Sequence, residues 1–307
     1  MIDSYALATA DFETLIDFIR FGLSEAHASD LHYGHGTDNA WDDICALVLG
    51  SLFLPIDIDP MYLQARLTLD EKHRLADRLS QRILDRVPVP YLTNEAYFCE
   101  LPFYVDERVL IPRSPMAELI NQQFSPWLEP ERVERILDLC TGSACIAIAC
   151  SYAFPDARVD AVDISPDALE VAAINRERHG LEEVLTLIES DCWSEVPHQR
   201  YDLIVSNPPY VGYDEMQTLP EEYLHEPTLA LETDNNGLAI VEKILASAHH
   251  YLTDDGILVV EVGNSDEALA EAFPQLPFIW LDFEHGGHGV FVLTCEQLKA
   301  HFAPQGK

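Results

Sequence analysis

One heptapeptide decides the fold of this chain: Ile204-Val205-Ser206-Asn207-Pro208-Pro209-Tyr210. Its apolar, β-branched start predicts a buried strand, which must end at Asn207 because a proline cannot donate a hydrogen bond to a sheet ladder. A residue before proline is driven toward extended geometry, so the Asn207 amide and the Asn207 and Pro208 carbonyls are held in nearly fixed directions. Tyr210 adds an aromatic wall. A turn that only caps the strand is the alternative, but the whole string favours a binding turn at the carboxyl edge of a sheet.

The composition predicts a soluble protein of two domains. Its 307 residues, 48% of them apolar, can build two cores of ordinary size. No run of about 18 uncharged apolar residues is present, and the first residues lack the basic and apolar layout of a signal peptide. The seven cysteines form no Cys-x-x-Cys pair, so we expect reduced thiols and no metal site. These features predict a cytoplasmic protein without a membrane partner.

The charge balance is strongly acidic, with 53 acidic residues against 18 basic ones and a formal net charge of −35. Binding to free nucleic acid is not expected, because it depends on Lys and Arg to displace counterions from phosphates. A basic protein fits better, since opposite charge raises the rate of encounter. Adaptation to high salt, which screens such repulsion, explains the composition equally well.

The patterning divides the chain into three parts. Residues 1–88 carry apolar residues at helical spacing and predict a small all-helical domain. In residues 89–111 apolar and polar residues alternate, which predicts a β-hairpin linker. Residues 112–307 predict an α/β domain. Within the first part, four arginines recur every four residues, which predicts a solvated helix face or a minor contact surface for a partner or RNA: Arg74, Arg78, Arg82 and Arg86.

The last part alternates strands with helices. Strands are predicted near residues 136–139, 158–162, 184–188, 201–205, 256–262, 279–283 and 290–293. This rhythm predicts a mostly parallel sheet with an antiparallel last strand, and a ligand site at the carboxyl ends of the strands.

Three features stand where successive strands end. The turn Thr141-Gly142-Ser143 lets the backbone approach a ligand closely. Asp163 stands where an acidic side chain can accept hydrogen bonds from both hydroxyls of a ribose. Asp191 ends the third strand, near the place of an adenine amino group. Together these features favour a cofactor that contains a nucleoside.

The ordered motifs resemble the class I S-adenosylmethionine-dependent methyltransferases, and more narrowly the HemK/Prm family that methylates glutamine side chains of translation proteins. The resemblance extends from about residue 87 to residue 293. The segments that carry it are Pro90-Tyr91-Leu92-Thr93-Asn94, Leu110-Ile111-Pro112-Arg113-Ser114-Pro115, Asp138 to Ala144, Ser190-Asp191, Asn207 to Tyr210, His225-Glu226-Pro227 and Asn236-Gly237-Leu238. The Arg-Ser-Pro form of the second segment resembles the branch that modifies a large-subunit ribosomal protein.

The resemblance implies a Rossmann-like methyltransferase domain over residues 112–307, a substrate-recognition role for residues 1–88, and S-adenosylmethionine as cofactor. It implies that Asp163 holds the ribose, that Asn207 borders the cofactor, and that Asn207 and Pro208 hold the substrate amide. The implied cofactor-binding residues are Cys140, Thr141, Gly142, Ser143, Ala144, Asp163, Asp191, Cys192 and Asn207, and the implied catalytic residues are Asn207, Pro208, Pro209 and Tyr210.

Two positions depart from the family pattern. Ala144 replaces a glycine, which predicts some crowding of the cofactor. Cys192 occupies a position that is often aromatic, so either Cys192 or Trp193 is expected to contact the adenine.

The chemistry of an amide supports this interpretation independently. An amide nitrogen is a poor nucleophile because its lone pair is delocalised into the carbonyl, so two acceptors must orient it. Orientation supplies about 7–11 kcal/mol, against roughly 3–5 kcal/mol for a general base. We therefore expect catalysis by positioning, without a nucleophilic side chain. The resemblance, together with the acidic surface, implies methylation of a glutamine in a basic large-subunit ribosomal protein. Alternatives are a release-factor glutamine, the adenine amino group of nucleic acid, and a module that binds without catalysis.

Overall fold

The structure is a computed structural model that describes residues 11–303. These residues form two compact units, residues 11–96 with Pro220–His225, and Tyr97–Leu219 with residues 226–303. The helical unit thus extends beyond the expected boundary at residue 88 and takes in a short second segment, Pro220–His225.

The first unit is helical, as predicted. Its α-helices are α1 (Leu15–Ala28), α2 (Ala40–Gly50), α3 (Leu69–Ile83) and α4 (Val89–Thr93), and its 3₁₀ turns are Pro60–Gln64 and Glu221–His225. Phe18, Ile44 and Leu79 are fully buried at the centre of this unit. A capping box starts α3, where Thr68 Oγ1 accepts from Glu71 N and the Glu71 carboxylate accepts from Thr68 N. The predicted helical spacing therefore corresponds to a core of its own.

The prediction of a solvated arginine face is wrong for Arg82. This side chain is 2% exposed and contacts two buried carboxylates, with Nε 2.8 Å from Asp43 Oδ2 and an Nη atom 3.4 Å from Glu222 Oε1. Arg82 also donates to the His32 carbonyl at 3.0 Å. Residues four apart turn by about 40° around a helix of 3.6 residues per turn, so the arginine row rotates from the solvent side into the core.

The predicted hairpin is shorter than expected. Its strands are β1 (Ala96–Phe98) and β2 (Leu101–Phe103), whereas Val89–Thr93 is the helical turn α4. Pro90 suits the first turn of a helix, where its missing N–H is not needed. Asn94 ends this turn in the left-handed conformation, with φ 55°. The alternating apolar pattern after residue 88 therefore predicts strands correctly for β1 and β2 but not for the helical turn α4.

The second unit has the predicted α/β architecture. Its helices are α5 (Met116–Asn121), α6 (Cys145–Ala153), α7 (Pro166–Arg178), α8 (Tyr213–Met216), α9 (Thr228–Leu231), α10 (Ala239–Tyr251), α11 (Asp266–Ala272) and α12 (Cys295–Phe302). Its sheet strands are β3 (Arg135–Leu139), β4 (Arg158–Asp163), β5 (Leu185–Glu189), β6 (Tyr201–Ser206), β7 (Leu252–Glu261), β8 (Ile279–Trp280) and β9 (Val290–Thr294), and 3₁₀ turns lie at Pro130–Arg132 and Gly263–Ser265.

The seven strands lie in the order β5-β4-β3-β6-β7-β9-β8. The first five strands in this order, β5, β4, β3, β6 and β7, each pair in parallel with their neighbours, and β9 pairs antiparallel with both β7 and β8. The mostly parallel sheet with an antiparallel end is thereby confirmed. Its order reverses between β3 and β6, which is where open α/β sheets bind their ligands.

Strand β6 lies in the middle of this sheet. Leu203, Ile204 and Val205 are fully buried, and Ser206 pairs with Leu139 of β3 and with Val260 of β7. The strand ends at Ser206, directly before the Asn-Pro-Pro sequence. The turn that starts at Asn207 therefore lies at the carboxyl edge of the sheet, between the ends of β3 and β7.

Within residues 11–303, no helix is long and apolar enough to cross a membrane.

Candidate active site

A pocket opens at the carboxyl ends of the strands and collects most of the residues singled out in the sequence. Those on its wall are Cys140, Thr141, Gly142, Ser143, Asp163, Asp191, Cys192, Asn207 and Pro209. Three others, Ala144, Pro208 and Tyr210, lie outside this wall. The pocket therefore unites turns that follow four different strands, as expected for a site at a sheet edge.

The turn after β3 leaves open space for a ligand. Gly142 has φ +55°, and a Cβ atom built there would meet nothing within 4 Å. Its N–H donates to Asp163 Oδ2 at 2.8 Å, and Thr141 N donates to the Val162 carbonyl at 2.9 Å. The left-handed backbone suits glycine and keeps this turn close to the end of β4.

Asp163 is mostly buried but faces the pocket. Its Oδ1 atom accepts from Ser165 N at 2.9 Å, and with the bond from Gly142 this fixes the carboxylate. Burial raises the pKa of Asp163, and the backbone hydrogen bonds act in the opposite direction. Each carboxylate oxygen has a second lone pair, so both can still accept from a ligand hydroxyl.

Asp191 and Cys192 form the wall after β5. Asp191 Oδ1 lies 2.5 Å from Lys243 Nζ, an ion pair at the rim of the pocket. Cys192 lies on the pocket wall, whereas the Trp193 ring stacks on Tyr251 with centroids 4.6 Å apart. Of the two candidates for the adenine contact, only Cys192 borders the pocket.

Ala144 explains why a glycine is usual at its position. It has φ +64° and is the N-cap residue of α6, a left-handed conformation that costs an alanine more than a glycine. Its side chain is fully buried in the hydrophobic core that includes Ile148 and Val159. The alanine methyl group therefore occupies core space outside the wall of the pocket.

The turn after β6 divides its residues between two environments. Asn207 and Pro209 lie on the pocket wall, and Pro208 is buried. Among the described residues, none donates a hydrogen bond to the Asn207 side chain or to the Pro208 carbonyl. Tyr210 instead donates its hydroxyl to Glu261 Oε1 at 3.0 Å. The amide acceptors of the turn are thus available, whereas the tyrosine supports the turn from behind.

Sequence reasoning did not foresee the contact between two of the family-like segments. Arg113 donates to both oxygens of Glu226, at 2.6 and 2.7 Å, and Glu226 also accepts from Ile111 N at 2.9 Å. Glu226 is buried, and Pro112, Arg113 and Pro227 lie on the pocket wall. A bidentate pair of this kind fixes the geometry of both loops. The arginine and the glutamate were visible in the sequence, but nothing in their spacing indicated that they meet.

Asp138 is a buried carboxyl group one residue before the end of β3. Its Oδ2 atom accepts from Thr141 Oγ1 at 2.6 Å and from Ala147 N at 3.2 Å, whereas its Oδ1 atom has no partner among residues 11–303. Burial raises the pKa of Asp138 to about 7, although both hydrogen bonds act to lower it. The neutral acid is therefore the favoured form of Asp138 below about pH 7.

The raised pKa of Asp138 predicts a pH-dependent stability. The folded state binds this proton more tightly than the unfolded state, whose pKa is near 3.8. The contribution to the free energy of unfolding is therefore full below about pH 4 and is lost as the pH rises through about 7, a total on the order of 4 kcal/mol. Asp138→Asn removes it, so urea denaturation should show the free energy of unfolding of the variant rising relative to that of the wild type between about pH 4 and pH 7. Asp156→Asn, a change at an exposed carboxyl group, is the control. Parallel pH dependence of the two variants would contradict the prediction.

The sheet order and the pocket at its carboxyl edge define a class I, Rossmann-like methyltransferase. Residues 121–276 match the family model described as "Methyltransferase small domain". Among solved structures, the catalytic domain of hMettl16 in complex with a MAT2A 3′UTR hairpin aligns with a TM-score of 0.52, covering 78% of this chain and 84% of that one. At 14% identity this likeness concerns the fold alone.

Curated relatives narrow the class. The chain is 46% identical over 289 residues to the ribosomal protein uL3 glutamine methyltransferase of Francisella tularensis, covering 94% of this chain and 92% of the relative. It is 47% identical over 298 residues to the protein of the same name from Xanthomonas campestris, covering 97% and 96%. The chain belongs to the family of ribosomal protein uL3 glutamine methyltransferases.

Proposed function

We propose that this protein transfers a methyl group from S-adenosylmethionine to the side-chain amide nitrogen of a glutamine in ribosomal protein uL3. The single observation that carries the proposal is the Asn207 amide, which lies on the pocket wall without a hydrogen-bond partner among the described residues. The names of the relatives support the substrate.

The pocket residues fit S-adenosylmethionine, whose sulfonium group supplies an electrophilic methyl. The open space above Gly142 accommodates the methionine part, bordered by Cys140, Thr141 and Ser143. Asp163 accepts from the ribose hydroxyls, and Asp191 with Cys192 borders the adenine. Ala144 supports this turn from the core.

The turn after β6 holds the substrate amide. The Asn207 side-chain oxygen and the Pro208 carbonyl accept the two N–H groups, so that the amide nitrogen is aimed into the pocket. Pro209 and Tyr210 keep the turn rigid, because proline fixes φ and the tyrosine is hydrogen-bonded from behind. Orientation of about 7–11 kcal/mol exceeds what a general base supplies, so these residues act by positioning. The amide proton leaves after methyl transfer.

We further propose that the helical unit recognises the substrate. Residues 1–60 contain eleven acidic residues and one basic residue, which suits a basic ribosomal protein. Phe53 and Met61 are 86% and 70% exposed in this unit, so both side chains are accessible to a partner. Because the proposed substrate is a ribosomal protein, we propose that the reaction takes place in the cytoplasm.

The proposal is tested by label transfer. Purified protein is incubated with S-adenosylmethionine carrying a labelled methyl group and, in separate reactions, with uL3, a peptide chain release factor, ribosomal RNA or DNA. Label in uL3 alone is expected. Label in the release factor would overturn the assignment of uL3 as the substrate. Label in nucleic acid would favour methylation of an adenine amino group. Cofactor binding without label in any reaction would contradict the activity.

A further inference from the structure

Glu261 is a buried carboxylate that joins two walls of the active site. It ends β7, the strand beside β6, and is 5% exposed. Its Oε1 atom accepts from the Tyr210 hydroxyl at 3.0 Å, and its Oε2 atom accepts from Ser114 Oγ at 2.5 Å. One side chain thus holds the turn after β6 and the loop before α5.

Tyr210 is enclosed on the side of Glu261. A Cβ atom at Gly263 would lie 2.6 Å from the tyrosine ring, and one at Gly237 would lie 2.2 Å from the Tyr210 carbonyl oxygen. Ser265 Oγ donates to that carbonyl at 2.9 Å. The ring therefore packs against the segment that follows β7, and its hydroxyl has a fixed direction toward Glu261.

Ser114 connects Glu261 to the loop before α5, which forms the other wall of the pocket. It lies on the pocket wall beside Arg113, and its Oγ atom accepts from Met116 N at 3.2 Å while donating to Glu261. The hydroxyl is thus engaged both as donor and as acceptor. A change at Glu261 would release it.

We propose that Glu261 is a positioning residue for methyl transfer, which fixes the Asn207 to Tyr210 turn against the Ser114 loop. The inference rests on the proposed function. Burying a carboxylate is costly, and an apolar side chain of similar volume often gives a more stable protein. A buried carboxylate whose two oxygens each take one hydroxyl from a different loop instead selects one geometry, and a misplacement of about 1 Å in a reacting group can cost roughly 100-fold in rate.

The charge state of Glu261 predicts a pH dependence of activity, which a residue with a merely structural role would not produce. Burial raises the pKa of Glu261, while the Ser114 and Tyr210 hydroxyls and the charges of Arg113 and His288 act in the opposite direction. As a carboxylate, Glu261 accepts from both hydroxyls. Once protonated, it must donate through one oxygen, so one of the two bonds is reversed or lost. Activity should therefore fall as the pH drops through this raised pKa.

The test compares Glu261→Gln with wild type on uL3, with kcat and KM measured across the acid range. We expect kcat to fall roughly 10- to 100-fold, KM for uL3 to change little, and the acid limb of the kcat profile to disappear. Glu267→Gln, the same change at an exposed position, should behave as wild type. His288 is another titratable group near Glu261 that could produce the acid limb. His288→Gln should keep this limb, and that result would assign the limb to Glu261.

Tyr210→Phe keeps the test decisive if Glu261→Gln does not fold. This change removes only the hydroxyl that reaches Glu261, and it should lower kcat to a similar extent. In the double variant the two losses should not add, because both changes break the same contact. Wild-type kcat with an unchanged acid limb in Glu261→Gln, or wild-type kcat in Tyr210→Phe, would overturn the inference. If uL3 is not methylated by wild type, the proposed function fails, and the same comparison is made on the substrate that is labelled.

Discussion

Replacing Asn207 by alanine is expected to lower methyl transfer to uL3 by roughly a thousandfold while cofactor binding is largely kept. The side chain lies on the pocket wall and makes no hydrogen bond to the described protein, so its removal does not disturb the fold. It would remove one of two acceptors that orient the amide, and loss of a single preorganised polar group in an active site typically costs 10²- to 10³-fold. The measurement is the kcat for label transfer, together with calorimetry of S-adenosylmethionine binding.

The matched control is Asn121→Ala, which makes the same chemical change at an exposed asparagine that ends α5. It should leave both kcat and cofactor affinity unchanged. Asn207→Ala with more than about a tenth of wild-type activity would mean that the turn does not orient the amide. A loss of cofactor binding as large as the loss of kcat would place Asn207 with the cofactor instead.

Replacing Arg82 by leucine is expected to destabilise the protein by about 3–5 kcal/mol. The change keeps much of the volume but leaves the buried Asp43 without its cation, while Glu222 keeps an ion pair with Arg86 at 3.5 Å. Although burial acts to raise it, the His32 N–H and the charges of Arg82 and Arg86 hold the pKa of Glu222 below its ordinary value. The loss should appear as a lower midpoint of urea unfolding followed by circular dichroism.

Arg78→Leu provides the comparison for this change, because Arg78 lies on the same helix, is half-buried and donates to Gln81 Oε1 at 3.1 Å. It should shift the unfolding free energy by less than about 1 kcal/mol, as is usual for a partly exposed polar contact. If Arg82→Leu is no more destabilising than Arg78→Leu, the buried arginine does not hold the helical unit together.

The sheet was predictable because its strands carry strong local signals. Leu203, Ile204 and Val205 are fully buried in β6, as their apolar run predicted, and the prolines after Asn207 mark the end of the strand. The topology of alternating strands and helices then placed the strand ends at one edge. Nine of the predicted site residues line one pocket for this reason.

The remaining features depend on tertiary packing that no local pattern encodes. Arg82 was expected on a solvated face, yet its partners lie 39 and 140 residues away in the chain. Glu261 was absent from the predicted site, because a single glutamate at the end of an apolar strand carries no local signal of its partners Ser114 and Tyr210. Such groups become visible only when burial and hydrogen bonds are known.

The central claim is tested most directly by mass spectrometry of uL3 from cells that lack this gene, complemented with either wild type or Asn207→Ala. The account predicts one additional methyl group on a glutamine side chain of uL3 with wild type, and its absence both in the deletion and with the variant. A methylated glutamine that persists in the deletion, or an unmodified uL3 in cells with the wild-type gene, would contradict it.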